Sequence, residues 1–446
     1  MMPAALALCA PLLGPLPAAP LVALADEDPA VYRADVEFAL DELEKRCGHF
    51  FRLKDIDWKK VRKELAKEVK SVETDGEHLL LLIRLLARLE DGHASVRPLA
   101  KGEGVKPPEG TFFEKRGPGF FLSRAGKKLY VKNAWGSAAA VGIEPGMEVV
   151  TIDGEKAARW LEARIEHIRD LASFSTDQQA FFHATHWGLA DREGTRWKLE
   201  LKTRAGKKKT RTATCDSKST VPDGPAFPVP GLTVAGEGVR YARLESGFGY
   251  VHLRRVPEEV LAELDQALAA LADAPGIVLD FRANGGGGCD HDALEARFVP
   301  AGHRLARMAR PPLESAGPHP YGGRLVVIVD GNTRSAGETT SGMFIEDGRA
   351  WSIGESATAG MSSQKETIEL PSKLFALYVS VRSNRSSFNQ GRGVEGIGVE
   401  PQERVEYDPD DLAAGVDTIL ARAEALLRDF PQKRVRYDPA DYGWGK

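Results

Sequence analysis

Beyond its first 25 residues the chain has no apolar run approaching the roughly 20 residues that a membrane-spanning helix needs, so no transmembrane anchor is expected. It is also poor in cysteine. Four residues in 446, Cys9, Cys47, Cys215 and Cys289, lie too far apart to read as a disulfide framework or a zinc-ligand set. Charge of one sign is lacking too: a net charge of -4 and an isoelectric point near 6.3 give no footprint for nucleic acid or an acidic membrane. The run Lys207-Lys208-Lys209 follows Ala205-Gly206 and reads as a solvated hairpin turn. No spaced GxGxxG occurs, and no Gly-Lys-Ser/Thr closes the glycines at 285–288, which argues against a phosphate-cradling loop.

What is present is ordinary globular composition, 42% hydrophobic and 28% charged, over a length that accommodates two or three domains. Residues 1–25 contain no Lys, Arg, Asp or Glu, are rich in Ala, Leu and Pro, and end Ala23-Leu24-Ala25 before Asp26. They read as a cleaved export signal, placing the mature chain in the periplasm or outside the cell. Lipid attachment at Cys9 is a poor fit, since Leu8 stands where a small residue is needed.

Apolar residues at three- and four-residue spacing predict helices over 36–47, 58–72 and 77–90, a helical subdomain spanning 26–100. It ends Asp91-Gly92-His93, and a lone histidine there is by default a turn residue. A Gly/Pro/Lys-rich boundary precedes short strands from Gly117 to Thr214, with a helical insertion at 155–190. Within that insertion His183 and His186 share a helical face beside aromatics, a packing arrangement with no third metal ligand at useful spacing. Residues 216–235 read as a linker. From 236 to 430 strands alternate with helices, the last helix spanning 411–428, which is the pattern of an α/β domain.

Two segments of that domain carry the chemistry. In Arg324–Glu338, RLVVIVDGNTRSAGE, a β-branched apolar run stops at Asp330-Gly331 and Ser335 opens a helical segment. A serine there either caps the helix or serves as a nucleophile beside outward-pointing N–H groups. In Gly276–Gly288, GIVLDFRANGGGG, a second buried strand runs into four glycines, whose backbone can approach a ligand closely. Ligands of α/β sheets bind outside the carboxyl ends of the strands, where these two loops meet. Beyond the glycines, Cys289, Asp290, His291 and Asp292 form a polar cluster that lacks further ligands for a metal.

The order of these pieces resembles the tail-specific, or C-terminal processing, serine peptidase family, closer to its tricorn-core and interphotoreceptor-retinoid-binding-protein-like branch. The resemblance spans roughly residues 30–428. It implies a ClpP/crotonase-like α/β core, an N-terminal helical subdomain that contributes a base, and an inserted, mainly β PDZ domain over 117–214. Gly117, Gly119, Phe120 and Phe121 of the GPGFF segment then stand as the loop that captures a peptide C-terminus. Ser335 matches the family's serine, but the lysine 25 residues later is absent, Gly360 standing there, with Lys365 five residues late. The tricorn-like branch uses a histidine and a late glutamate, matched by His93 and Glu395; Pro401-Gln402 departs from the usual Pro-Asp that follows. The implied site is therefore Ser335, His93 and Glu395, with an imidazole titrating near neutrality and with Ala336 and either Gly286 or Gly287 supplying oxyanion N–H groups. Lys365 and His291 remain alternative bases. An exported serine endopeptidase acting on polypeptides without cofactor or metal is the expected function. A non-enzymatic peptide- or lipid-binding protein on the same fold is the alternative, and oligomeric state is open.

Overall fold

The computed structural model describes residues 26–217, 227, 229–307, 310–384 and 388–431; the expected export signal and Cys9 lie outside them. Three helices come first: α1 (Pro29–Leu53), α2 (Trp58–Glu68) and α3 (Asp75–Ala87). Each starts on a side-chain cap, Asp28, Asp57 and Thr74, the last in a capping box with Glu77. Their apolar faces do not close on one another alone. Tyr32, Leu43, Leu82 and Leu85 share a core with Ile368, Leu374, Phe375 and Leu377 from far along the chain, so the helical subdomain has no core of its own.

After strand β1 (Ser95–Pro98) comes a β unit with strands β2 (Phe120–Ala125), β3 (Lys128–Ala134), β4 (Glu148–Ile152), β5 (Glu155–Lys156), β6 (Arg196–Lys202) and β7 (Lys208–Thr214), in order β2-β3-β4-β6-β7 with β5 on β4. Helices α4 (Gly136–Ala140), α5 (Ala157–Arg169) and α6 (Asp177–Thr185) belong to it, and α5 covers its apolar face through Ala157 and Leu161.

The third part is a seven-stranded sheet. It holds β8 (Thr233–Val234), β9 (Val239–Arg243), β10 (Gly249–Leu253), β11 (Gly276–Asp280), β14 (Arg324–Val329), β15 (Trp351–Gly354) and β18 (Glu403–Arg404), ordered β18-β15-β14-β11-β10-β9-β8; a small hairpin, β12 (Arg304–Leu305) and β13 (Leu313–Glu314), stands apart. β10, β11, β14, β15 and β18 run parallel. Helices α7 (Val260–Ala270), α8 (His291–Ala296) and α9 (Ala336–Glu346) pack on one face, and α11 (Pro409–Ala414) and α12 (Thr418–Arg428) on the other. Its central strands β10, β11, β14 and β15 are buried along nearly their whole length, as a sheet covered on both faces requires. The single terminal helix expected over 411–428 is in fact two: Gly415 takes a left-handed φ of 73° and Asp417 caps a new start. β16 (Ser363–Glu369), β17 (Phe375–Ser383) and β1 form a separate antiparallel sheet that carries the N-terminal helices against this domain; between it and β18 lies the short turn α10 (Phe388–Gly391).

Cys47, Cys215 and Cys289 are all free and buried. One buried cation ties the β unit to the large sheet. Lys132 on β3 reaches Glu355, just past β15, at 3.7 Å, lies 3.3 Å from His186 Nε2 and stands over the Tyr407 ring. His186 Nδ1 faces the Phe182 carbonyl at 2.8 Å, which leaves Nε2 to accept from the lysine. Removing one partner of such a pair strands a buried charge. Lys132→Met is therefore expected to lower unfolding free energy by about 3 kcal/mol in denaturant titration, with partial recovery when Glu355→Gln is added; an unchanged midpoint would contradict the role given to this pair.

Candidate active site

β11 and β14 are parallel neighbours in register, Asp280 opposite Ile328, so the loops leaving their carboxyl ends emerge side by side. The first contains Ala283 to Gly288, the second Asp330 to Ser335. Buried polar side chains lock one to the other. Asp330 accepts N–H bonds from Ala283 (2.8 Å), Asn332 (2.9 Å) and Thr333 (2.8 Å), and burial raises its pKa to about 6. The Asn284 carbonyl accepts from the Arg334 N–H at 3.1 Å. Gly337 lies against the Asn284 side chain so closely that a Cβ there would stand 2.1 Å from Oδ1.

Ser335 sits at the head of α9 with φ 56° and ψ -125°, a conformation that costs a residue with a side chain on the order of 1–3 kcal/mol. The Met361 carbonyl, which accepts the Ser335 N–H at 3.0 Å, and Glu338, one turn on, hold it there. The fully buried Glu338 carboxyl accepts from the N–H groups of Ser335 (3.2 Å), Gly360 (2.9 Å) and Met361 (2.7 Å) and from Thr358 Oγ1 (2.6 Å). Burial lifts its pKa to about 8 against these bonds.

His93 reaches the serine from the other end of the chain, its Nε2 3.3 Å from Ser335 Oγ. Its own turn is pinned by hydrogen bonds: Asp91 N–H to Ser173 Oγ, Gly92 N–H to Ser175 Oγ and His93 N–H to Asp91 Oδ1. On the far side of the ring, Nδ1 faces Ser363 Oγ at 3.4 Å, Ser363 Oγ lies 2.5 Å from Ser380 Oγ, and Ser380 Oγ donates to Asp91 at 2.8 Å. Burial is the largest cause that pushes the imidazolium down to about 4; Lys365, Arg334 and Lys54 add to it, and Asp91 opposes it. The expected titration near neutrality does not hold for this imidazole.

Glu395 lies behind the ring and is not bonded to it. One oxygen accepts from Lys54 Nζ (3.0 Å) and Ser175 Oγ (2.9 Å), and Oε2 has no partner among the described residues. Ligand atoms of Asp91, His93 and Glu395 converge within 4.8 Å of one another, but the Lys54 ammonium already supplies the positive charge there. Burial, with repulsion from Asp91, raises Glu395 to about 7 although Lys54 opposes the shift.

The other expected residues fall into place as follows. Gly286 meets the serine turn, where a Cβ would stand 2.8 Å from Ser335 Cβ, but its N–H donates to Asn284 Oδ1 at 2.7 Å. It therefore has no free donor for an oxyanion. The N–H groups of Gly287 and Ala336 take no acceptor among the described residues. Lys365 is not brought to the serine; its ammonium donates to the Ser363 carbonyl at 2.9 Å. His291 turns Nδ1 to Thr340 Oγ1 at 2.8 Å, and Asp290 caps α8. Gly360, where a lysine was sought, has φ 68°, and a Cβ would stand 2.5 Å from Thr176, so this backbone excludes any side chain. Gln402 bonds the main chain of Ser352 on β15 through its own side chain, which gives the residue in place of aspartate a structural task.

Gly117, Gly119, Phe120 and Phe121 are all buried. Phe121 packs edge-on against Trp135 and lies near His186. Beside β2 a cavity of about 440 Å³ opens between α5, α6 and the loops after β15 and β18, lined by Arg124, Leu161, Ile165, Phe181, Ser356 and Glu406 among others.

Residues 247–405 match the family model described as Peptidase family S41. Among solved structures, the crystal structure of mature CPAF aligns with 91% of this chain and 99% of its own at 12% identity and a TM-score of 0.61. Mature CPAF complexed with lactacystin covers 91% and 98% at 12% identity and a TM-score of 0.59. The tricorn protease aligns with 90% of this chain and 37% of its own at 16% identity and a TM-score of 0.47. No curated protein matches by sequence.

The two titrations are distinct and directly measurable. With isotope-labelled protein, NMR should place the His93 imidazole midpoint near pH 4 and the Glu395 carboxyl midpoint near pH 7. A His93 midpoint at 6.5 or above would contradict the desolvated setting described for the ring.

Proposed function

The chain carries a peptidase family S41 domain, and from that premise we propose that it is an exported serine endopeptidase that cleaves polypeptides through an acyl-enzyme. The observation that carries this reading is the 3.3 Å contact between Ser335 Oγ and His93 Nε2, made across 242 residues. Ser335 attacks the peptide carbonyl as His93 takes its proton; His93 gives that proton to the leaving amine as the C–N bond breaks, and water then releases the acyl group from Ser335. The ring is neutral above pH about 4, hence able to accept that proton throughout the physiological range. The Gly287 and Ala336 N–H groups face the oxygen on which charge develops. His93 is held in orientation by the Ser363, Ser380 and Asp91 chain, while Glu395 supplies negative charge beside the imidazolium.

Glu395 carries that charge only above pH about 7. The rate should accordingly rise in two limbs, near 4 as His93 loses its proton and near 7 as Glu395 does. Glu395→Gln should lower the rate and remove the upper limb; a profile unchanged in that variant would take Glu395 out of the reaction. Ser335→Ala should abolish hydrolysis and fluorophosphonate labelling with folding intact, and His93→Ala should do the same to turnover. Lys365→Ala should keep the serine reactive. Turnover in Ser335→Ala, or its loss in Lys365→Ala alone, would overturn the assignment.

The β unit is proposed to act as a PDZ domain that guides substrate, with the cavity beside β2 as the place where a strand of polypeptide lies, since the residues of the GPGFF segment are themselves buried. Export is carried by residues 1–25 in this reading, and no described helix is long and apolar enough to cross a membrane. Binding energy remote from the cut helps only substrates long enough to reach it. Ile165→Glu in the cavity wall should impair cleavage of long polypeptides more than that of short chromogenic peptides; an equal loss for both would remove the guiding role.

A further inference from the structure

We infer that the site accepts its substrate with a carboxylate close to the scissile bond, held by the guanidinium of Arg334. This deepens the serine peptidase reading and rests on it. Arg334 immediately precedes Ser335, and its backbone is fixed from both sides, its N–H donating to Asn284 O at 3.1 Å and its carbonyl accepting from Gly337 at 3.0 Å. The side chain leaves from that fixed point. It lies along the glycine loop, with Nη2 3.9 Å from where a Cβ on Gly285 would stand, two residues from the free N–H of Gly287. A group bound there lies next to the carbonyl under attack.

The guanidinium is half-buried and takes no acceptor among the described residues. Other arginines around it are satisfied. Arg255, which approaches the same face of Gly285, pairs with Glu237 at 2.5 Å, Arg282 pairs with Asp280 and Asp417, and Arg164 with Asp191. The nearest negative group along the chain, Asp330, is engaged by three N–H groups and the Thr333 hydroxyl. A partly desolvated guanidinium without an acceptor is costly, and a carboxylate forms two parallel charge-assisted bonds with it. A buried tyrosine or amide would use only part of the fork.

Occupancy at Arg334 also has a consequence for the base. The positive charge of Arg334 falls on His93 and is one of the causes that hold its imidazolium down. A carboxylate bound to the guanidinium cancels part of that field, so a correct substrate makes the imidazole more basic when it must take the serine proton. Two sources share this chemistry, an Asp or Glu side chain and a chain-terminal carboxylate.

The test uses the full chain and matched fluorogenic peptides. One set exchanges Glu for Gln and Asp for Asn at positions flanking the cut, and each peptide is made with a free and an amidated C-terminus close to it. Carboxylate-bearing members should be cleaved with kcat/KM on the order of 10–100-fold higher. Arg334→Gln should bring that ratio close to one, Arg334→Lys should restore part of it, and Arg334→Glu should invert it toward lysine-bearing peptides. A preference following the side chains identifies an acidic segment as the ligand, and one following the terminus identifies a chain end. Equal rates across the set, or a ratio that survives Arg334→Gln in a protein folded by circular dichroism, would overturn the inference. Fluorescence anisotropy on Ser335→Ala protein makes the same comparison without turnover. If the serine assignment alone is wrong, labelling fails while the anisotropy preference persists.

Discussion

A single buried carboxyl, that of Glu338, fixes the geometry on which the site depends. Ser335 has to adopt a positive φ for its hydroxyl to stand clear of α9, and nothing intrinsic to serine favours that. Glu338 binds the Ser335 N–H and, with the same two oxygens, the backbone of the 358–361 loop. Strain in the serine turn is thus offset by bonds to a segment that the strand order has already brought close. Pairing of β11 with β14 sets the second half of the site, because their loops cannot separate without breaking the register.

The approach of His93 has a different origin. Three helices without a core of their own dock on β16 and β17, and the docking is hydrophobic. What turns that broad contact into a specific one is polar: Ser173 and Ser175 from the inserted unit bond the Asp91 and Gly92 N–H groups, and Ser380 of β17 bonds the Asp91 carboxyl. The imidazole is therefore positioned jointly by three parts of the chain, and a change in any of them reaches it. Lys54 extends the same logic, since it donates both to Glu395 and to the Glu90 carbonyl just before the histidine turn.

Much of this was legible in the sequence. The two buried strands, the serine after Asp-Gly and the glycine run are local patterns, and local patterns survive folding when tertiary packing agrees with them. Asp91-Gly92-His93 was legible only through resemblance, because no short-range signal separates it from an ordinary turn. Hidden altogether were Ser363, Ser380, Ser175 and Lys54, whose tasks depend on contacts over hundreds of residues. Gly286 illustrates a finer limit. Its neighbour Asn284 takes its N–H, a choice that an NGGGG string leaves open. The near-neutral titration expected of His93 failed for a similar reason, since burial is a property of the packed site and not of the residue.

The central claim is that Ser335 Oγ forms the covalent bond while Gly287 and Ala336 receive the oxyanion. A crystal structure of the full chain reacted with a peptidyl phosphonate tests it in one measurement. The account predicts phosphorus on Ser335 Oγ and its oxyanion at roughly 2.7–3.1 Å from the N–H groups of both residues. An adduct on another residue, or an oxygen turned toward Gly286 and away from Gly287, would contradict it.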